Sequence, residues 1–212
     1  MKNVVEIYDR EAASYDQRYV KPIHIVEDRI IADMINARYT EGDHVFDIGC
    51  GTGHVITITD IPKEDYAGFD ISPGMVEVAR KKFPGHVFKI VDVRDIGWNL
   101  GSAPNLMLAV FGQANYLGLE YFVHALNRMP ETKFLAVLYS GIDNPDCEYT
   151  KEYQTIYSPE EIRASFSTIG RSVSISGLSH PHHGISDPDE LFKDQISKLE
   201  DLNESKYFII RG

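Results

Sequence analysis

The sequence predicts an α/β fold, a seven-stranded mixed sheet with helices on both faces, on three observations. Seven short apolar runs alternate with stretches of helical periodicity, the pattern of a mostly parallel sheet covered by helices. The first run feeds a glycine-rich bend, Asp47-Ile48-Gly49-Cys50-Gly51-Thr52-Gly53. The last two runs flank a helix and read as an antiparallel pair.

The elements follow in order. Val5, Tyr8, Ala12 and Tyr15 share one helical face, and Pro22 separates that segment from a second helix with Val26, Ile30 and Met34 as its buried stripe. Strands are expected near His44 to Ile48, Tyr66 to Phe69, Val87 to Val91, Leu106 to Val110 and Phe134 to Tyr139, each apolar enough to be buried on both faces. Ser72 caps a helix with Pro73 at its first position, and Phe122, Leu126 and Met129 mark another. Ser158, Pro159 and Glu161 form a capping box, and Asp187, Pro188 and Glu190 repeat the device. Phe192, Ile196 and Leu199 are expected to face inward from that last helix. Arg171 to Leu178 and Lys206 to Arg211 are the closing strands. No linker or repeat divides the chain, so residues 1–212 read as one domain: a helical cap over 1–40, a core over 41–212, and a loop-helix insertion near 179–203.

Bulk properties narrow the function. A net charge of −11 opposes a phosphate backbone, so no nucleic-acid partner is expected. No run is long and apolar enough to span a bilayer, and residues 1–10 lack the apolar core of an export signal. Two cysteines, Cys50 and Cys147, build neither a disulfide framework nor a zinc site. A cytoplasmic monomer or homodimer without a metal is the expectation.

The glycine bend carries the chemistry. Glycine allows a sharp turn and close approach of a ligand to the backbone. A dinucleotide fold needs G-x-G-x-x-G, but the third position here is His54 and the glycine comes one residue early at Gly53. Asp47 before the first glycine suits an ammonium better than a phosphate. Both features disfavour a nicotinamide oxidoreductase. Asp70 ends the second strand, where a carboxylate can accept both hydroxyls of a ribose, and Asp92 ends the third, placed for an adenine amine. Three acids at three successive strand ends line one edge of the sheet.

Together these residues resemble the class I S-adenosylmethionine-dependent methyltransferase superfamily, with its Rossmann-like sheet and N-terminal helical cap. The resemblance covers nearly the whole chain. It implies S-adenosyl-L-methionine as cofactor, with Tyr15, Asp47, Gly49, Gly51, Gly53, Asp70, Ile71, Met75, Asp92, Val93 and Phe111 around it. It implies methyl transfer to an oxygen or nitrogen of a small-molecule acceptor. A fold that binds the cofactor without turnover, or uses it for other chemistry, remains the alternative. Asn105 replaces the acid usual at the start of the fourth strand, and Val110-Phe111-Gly112-Gln113 lacks the motif of DNA amino-methyltransferases.

A general base is needed only where the acceptor proton is hard to lose. Candidates are His182 and His183, in a loop with His180, and Tyr116 after the fourth strand. An exposed turn-rich loop and ordinary helix packing are the competing readings. His54 is expected to pack or cap the helix after the glycines, and Trp98 to pack near the adenine or anchor a surface loop.

Overall fold

The computed structural model describes residues 2–95, 102–141, 152–179, 187–203 and 205–212. His180, His182, His183, Trp98 and Cys147 lie outside the described residues. The chain opens with α1 (Lys2–Glu11), a 3-10 segment (Ala12–Arg18) and α2 (Pro22–Asn36). The core then runs β1 (Val45–Ile48), α3 (His54–Ile58), β2 (Tyr66–Asp70), α4 (Pro73–Lys82), β3 (Val87–Ile90) and β4 (Leu106–Ala109). It continues with α5 (Gln113–Leu117), α6 (Leu119–Asn127), β5 (Lys133–Tyr139), α7 (Pro159–Ser167), β6 (Ser174–Ser179), α8 (Pro188–Ser197) and β7 (Ser205–Arg211).

The seven strands form one sheet in the order β3-β2-β1-β4-β5-β7-β6, parallel except for β7, which runs antiparallel to both neighbours. The chain winds outward from β1 to β3, then returns to place β4 on the other side of β1. That reversal opens a crevice at the carboxyl ends of β1 and β4, where open α/β sheets bind ligands. Val45↔Tyr66 and Val45↔Leu106 set the register, so the ends of these strands come level.

Side-chain alternation splits the core into two layers. Ile30 and Ile35 of α2, Val55 of α3, Val76 of α4 and Leu191 of α8 pack on one face of the sheet. Leu119 and Phe122 of α6 and Ile162 and Phe166 of α7 pack on the other. Phe134 of β5 is fully buried and stacks on Phe166 with centroids 4.9 Å apart, fixing α7 to the sheet. Truncating such a ring costs about 3–5 kcal/mol.

Local signals set the helix ends as expected. The Ser72 hydroxyl accepts from Met75 N–H at 3.2 Å, and the Ser158–Glu161 box is reciprocal. Asp187 accepts from the N–H groups of Asp189 and Glu190. Three details differ. β3 is an edge strand, and Val87 and Ile90 are exposed rather than buried on both faces. Ile196 of α8 is exposed, while Leu191 and Gln195 face inward, because the Gln195 amide oxygen accepts from Ser179 N–H at 3.0 Å where β6 ends. On α1, Val4 rather than Val5 is the buried residue. No helix among the described residues is long and apolar enough to cross a membrane.

Candidate functional site

A cavity of about 300 Å³ opens at the carboxyl ends of the central strands, beneath α1, the 3-10 segment and α2. Its wall includes Tyr15, Gly49, Gly51, Asp70, Ile71, Met75, Asp92, Val93, Phe111 and Tyr116, all named from the sequence. Asp47 and Gly53 are not part of it.

The three glycines of the bend have different tasks. All have positive φ, a region that strains other residues. A Cβ on Gly49 would overlap the Gln113 side chain at 1.9 Å, and one on Gly53 would meet the Phe83 ring at 2.7 Å. Those two glycines let protein pack against the bend. A Cβ on Gly51, at φ +52°, would meet nothing within 4 Å. Gly51 is therefore where the bend faces open space.

The acids also separate. The Asp47 carboxylate turns away from the cavity and accepts from the Tyr66 hydroxyl at 2.6 Å. Strand parity explains this: Asp47 shares the face of Val45, while Ile48 points to the other layer. Burial, together with the nearby charge of Asp70, pushes Asp47 up to about 7. Asp70 accepts from Gly51 N–H at 2.9 Å and Ser72 N–H at 2.8 Å, and burial raises it above the ordinary carboxylate range. Asp92 accepts from the backbone N–H of Arg94 at 3.0 Å and from its guanidinium, whose hydrogen bond holds the carboxyl below its usual value.

The N-terminal segment is latched to the core at three places. Asp9 accepts from the Ser72 hydroxyl at 2.5 Å and from Gly74 N–H at 2.8 Å. Asp16 accepts from the Thr52 hydroxyl at 2.5 Å and from Lys82 at 2.6 Å. Burial raises the Asp16 carboxyl, but these two donors outweigh it, so it titrates below its ordinary value. The Tyr8 hydroxyl donates to that of Tyr116 at 2.9 Å, which also accepts from the Gln154 amide at 2.9 Å. Tyr116 is thus tied into the cap contact.

One polar group in the wall carries no sequence motif. His54 Nε2 lies 2.7 Å from Asp28 Oδ1, and both line the cavity. His54 is therefore more than a packing residue. Glu27, 2% exposed, also lines the wall and pairs with buried Lys206 at 3.4 Å. The one available signal was His24, Glu27 and Asp28 standing in a helix otherwise rich in isoleucine. Asn105 bonds structurally, accepting from His44 N–H at 2.8 Å.

Comparison with known proteins agrees with this geometry. A methyltransferase-domain family model matches residues 45–129, from β1 past α6. An uncharacterized protein of Methanocaldococcus jannaschii is 32% identical over 127 residues, covering 59% of this chain and 47% of that protein. The dTDP-3-amino-3,4,6-trideoxy-α-D-glucopyranose N,N-dimethyltransferase of Streptomyces venezuelae is 31% identical over 87 residues, covering 41% and 36%. The chain spans less than half the length of these curated relatives. Among solved structures, a S-adenosylmethionine-dependent methyltransferase of Thermotoga maritima, described as a possible histamine N-methyltransferase, superposes with a TM-score of 0.65 at 18% identity, over 98% of this chain and 97% of that one. That likeness concerns the fold. The sheet order, the glycine bend with acids at successive strand ends, and the methyltransferase-domain model over residues 45–129 make the chain similar to the class I S-adenosylmethionine-dependent methyltransferases.

Proposed function

We propose that the chain transfers a methyl group from S-adenosyl-L-methionine to an oxygen or nitrogen of a small-molecule acceptor held in the same cavity. The observation that carries this reading is the open space in front of Gly51 beside the Asp70 carboxylate. A side chain at position 51 would fill that space, and none does.

The residues fit the cofactor. Asp70 has donors on each oxygen from the backbone, yet an ionised carboxylate offers about four lone-pair positions, leaving capacity for ribose hydroxyls. Asp92 retains capacity on Oδ2 for an adenine amine, with Val93 and Ile71 as apolar walls of the cavity. Asp47, buried against Tyr66, supports the bend from beneath instead of binding the amino group directly. Bound there, the cofactor supplies a methyl group already activated on sulfonium. The chain's own part is to hold the acceptor in line and exclude water, through the cap latched by Asp9, Asp16 and Tyr8.

Calorimetry with S-adenosylhomocysteine tests the reading. Two charge-assisted hydrogen bonds from Asp70 to a ribose, each worth about 1.5–3 kcal/mol, predict at least about a hundredfold weaker binding in Asp70→Ala. Unchanged affinity in that variant contradicts the proposal.

A further inference from the structure

Aromatic rings make up a large share of the rest of the cavity wall. Ring centroids step from His54 to Phe111 (5.4 Å), Phe111 to Tyr207 (5.7 Å) and Tyr207 to Tyr139 (5.5 Å). A second series joins Tyr116 to Tyr8 at 6.1 Å. Rings at these spacings receive a planar aromatic guest by offset or edge contacts. Phe111 has a φ of +57°, the only non-glycine residue with positive φ among the described residues. Such a backbone is strained, and the Phe111 ring meets His54 and Tyr207 there.

The polar groups of this wall favour a neutral guest over a cation. Asp16 faces Lys82, Glu27 faces Lys206, and Asp28 faces His54. An ammonium would have to compete for carboxylates that already have partners. His54 offers something different. A carboxylate only accepts hydrogen bonds, so in the neutral imidazole the contact with Asp28 places the ring proton on Nε2 and leaves Nδ1 as the lone-pair nitrogen. Among the described residues no hydrogen bond engages Nδ1, and the side chain is 32% exposed on the cavity side of the bend.

We propose that His54, oriented by Asp28, is the proton acceptor for an aromatic hydroxyl group seated against Phe111 and Tyr207. This rests on the methyl-transfer reading above and names the acceptor class for that site. On binding, the acceptor O–H bond breaks and the proton joins Nδ1. The electron pair stays on oxygen, and the phenolate lies beside an imidazolium that Asp28 stabilises through Nε2–H. The titratable and charged groups facing His54 are Asp28 on α2, Asp16 on the 3-10 segment with Lys82 beyond it, and Asp47 beneath the bend on β1.

The test uses 4-nitrophenol, whose ionised form absorbs at longer wavelength, added to the protein saturated with S-adenosylhomocysteine. At a pH where the free probe is mostly protonated, the wild-type complex should show the nitrophenolate band. His54→Gln should lose the band and bind the probe roughly tenfold or more weakly, as expected for removal of a charged hydrogen bond. Asp28→Asn keeps a hydrogen-bonding amide between α2 and α3 but removes the charge that holds the imidazolium, so it too should lose the band. Thermal unfolding and S-adenosylhomocysteine calorimetry report whether each variant is folded. A wild-type protein that binds S-adenosylhomocysteine but leaves nitrophenol unbound or protonated overturns this proposal alone. So does a folded Asp28→Asn protein that retains the band. Failure of the wild-type protein to bind S-adenosylhomocysteine overturns the methyl-transfer reading instead.

Discussion

Asp47→Asn should reduce the pH dependence of folding that the wild-type protein carries. The Asp47 carboxyl is 1% exposed, accepts from Tyr66 and sits near the charge of Asp70; burial is the larger cause that pushes it up to about 7. In the unfolded chain an aspartate titrates near 3.9. Between those values the folded state holds a proton that the unfolded state has released. Stability then falls as pH rises, by about 1.4 kcal/mol per pH unit, and levels off above the folded value. From about pH 5 to about pH 8 the wild type should lose roughly 3 kcal/mol from this group. Asp70, raised by burial, acts in the same direction. Asp16 and Asp92, held low by their partners, act below the ordinary carboxylate range and so outside this window. An asparagine keeps an acceptor for the Tyr66 hydroxyl and cannot titrate. Urea unfolding of both proteins at the two pH values gives the comparison directly. Equal pH dependence in wild type and variant would refute the placement of a protonated Asp47 in the core.

Two further outcomes follow from local geometry. Gly51→Ala should cost about 1–2 kcal/mol of stability for a side chain at φ +52° and also lose S-adenosylhomocysteine affinity, because its Cβ enters the open space; Gly42→Ala, with positive φ in an exposed loop, should cost stability alone, and chemical denaturation with calorimetry separates the two. Ser158→Ala removes one half of a reciprocal capping box and should cost about 1 kcal/mol in thermal unfolding, leaving cofactor-product binding unchanged.

The parts legible in the sequence are those encoded within a few residues. The Ser72 and Ser158 caps depend on neighbours three residues away, so spacing alone locates them. The acids at strand ends follow from where apolar runs stop, and Asp70 and Asp92 do reach the cavity. What sequence spacing could not supply depends on topology. Val87 and Ile90 read like any buried strand, and only the sheet order makes β3 an edge. Gly53 belongs to the same bend as Gly51, yet the Phe83 ring from the end of α4 gives it a packing task. Asp47 could have been oriented by strand parity with Val45, once β1 was fixed. The Asp28–His54 contact joins α2 to α3 across 26 positions and has no motif to announce it.

A crystal structure of the chain with S-adenosylhomocysteine tests the site most directly. The expected complex has the ribose on Asp70, the adenine between Ile71 and Val93 with its amine toward Asp92, and the amino-acid tail across Gly51. A ligand bound elsewhere, or a side chain found filling the space before Gly51 while the ligand binds another surface, would contradict it.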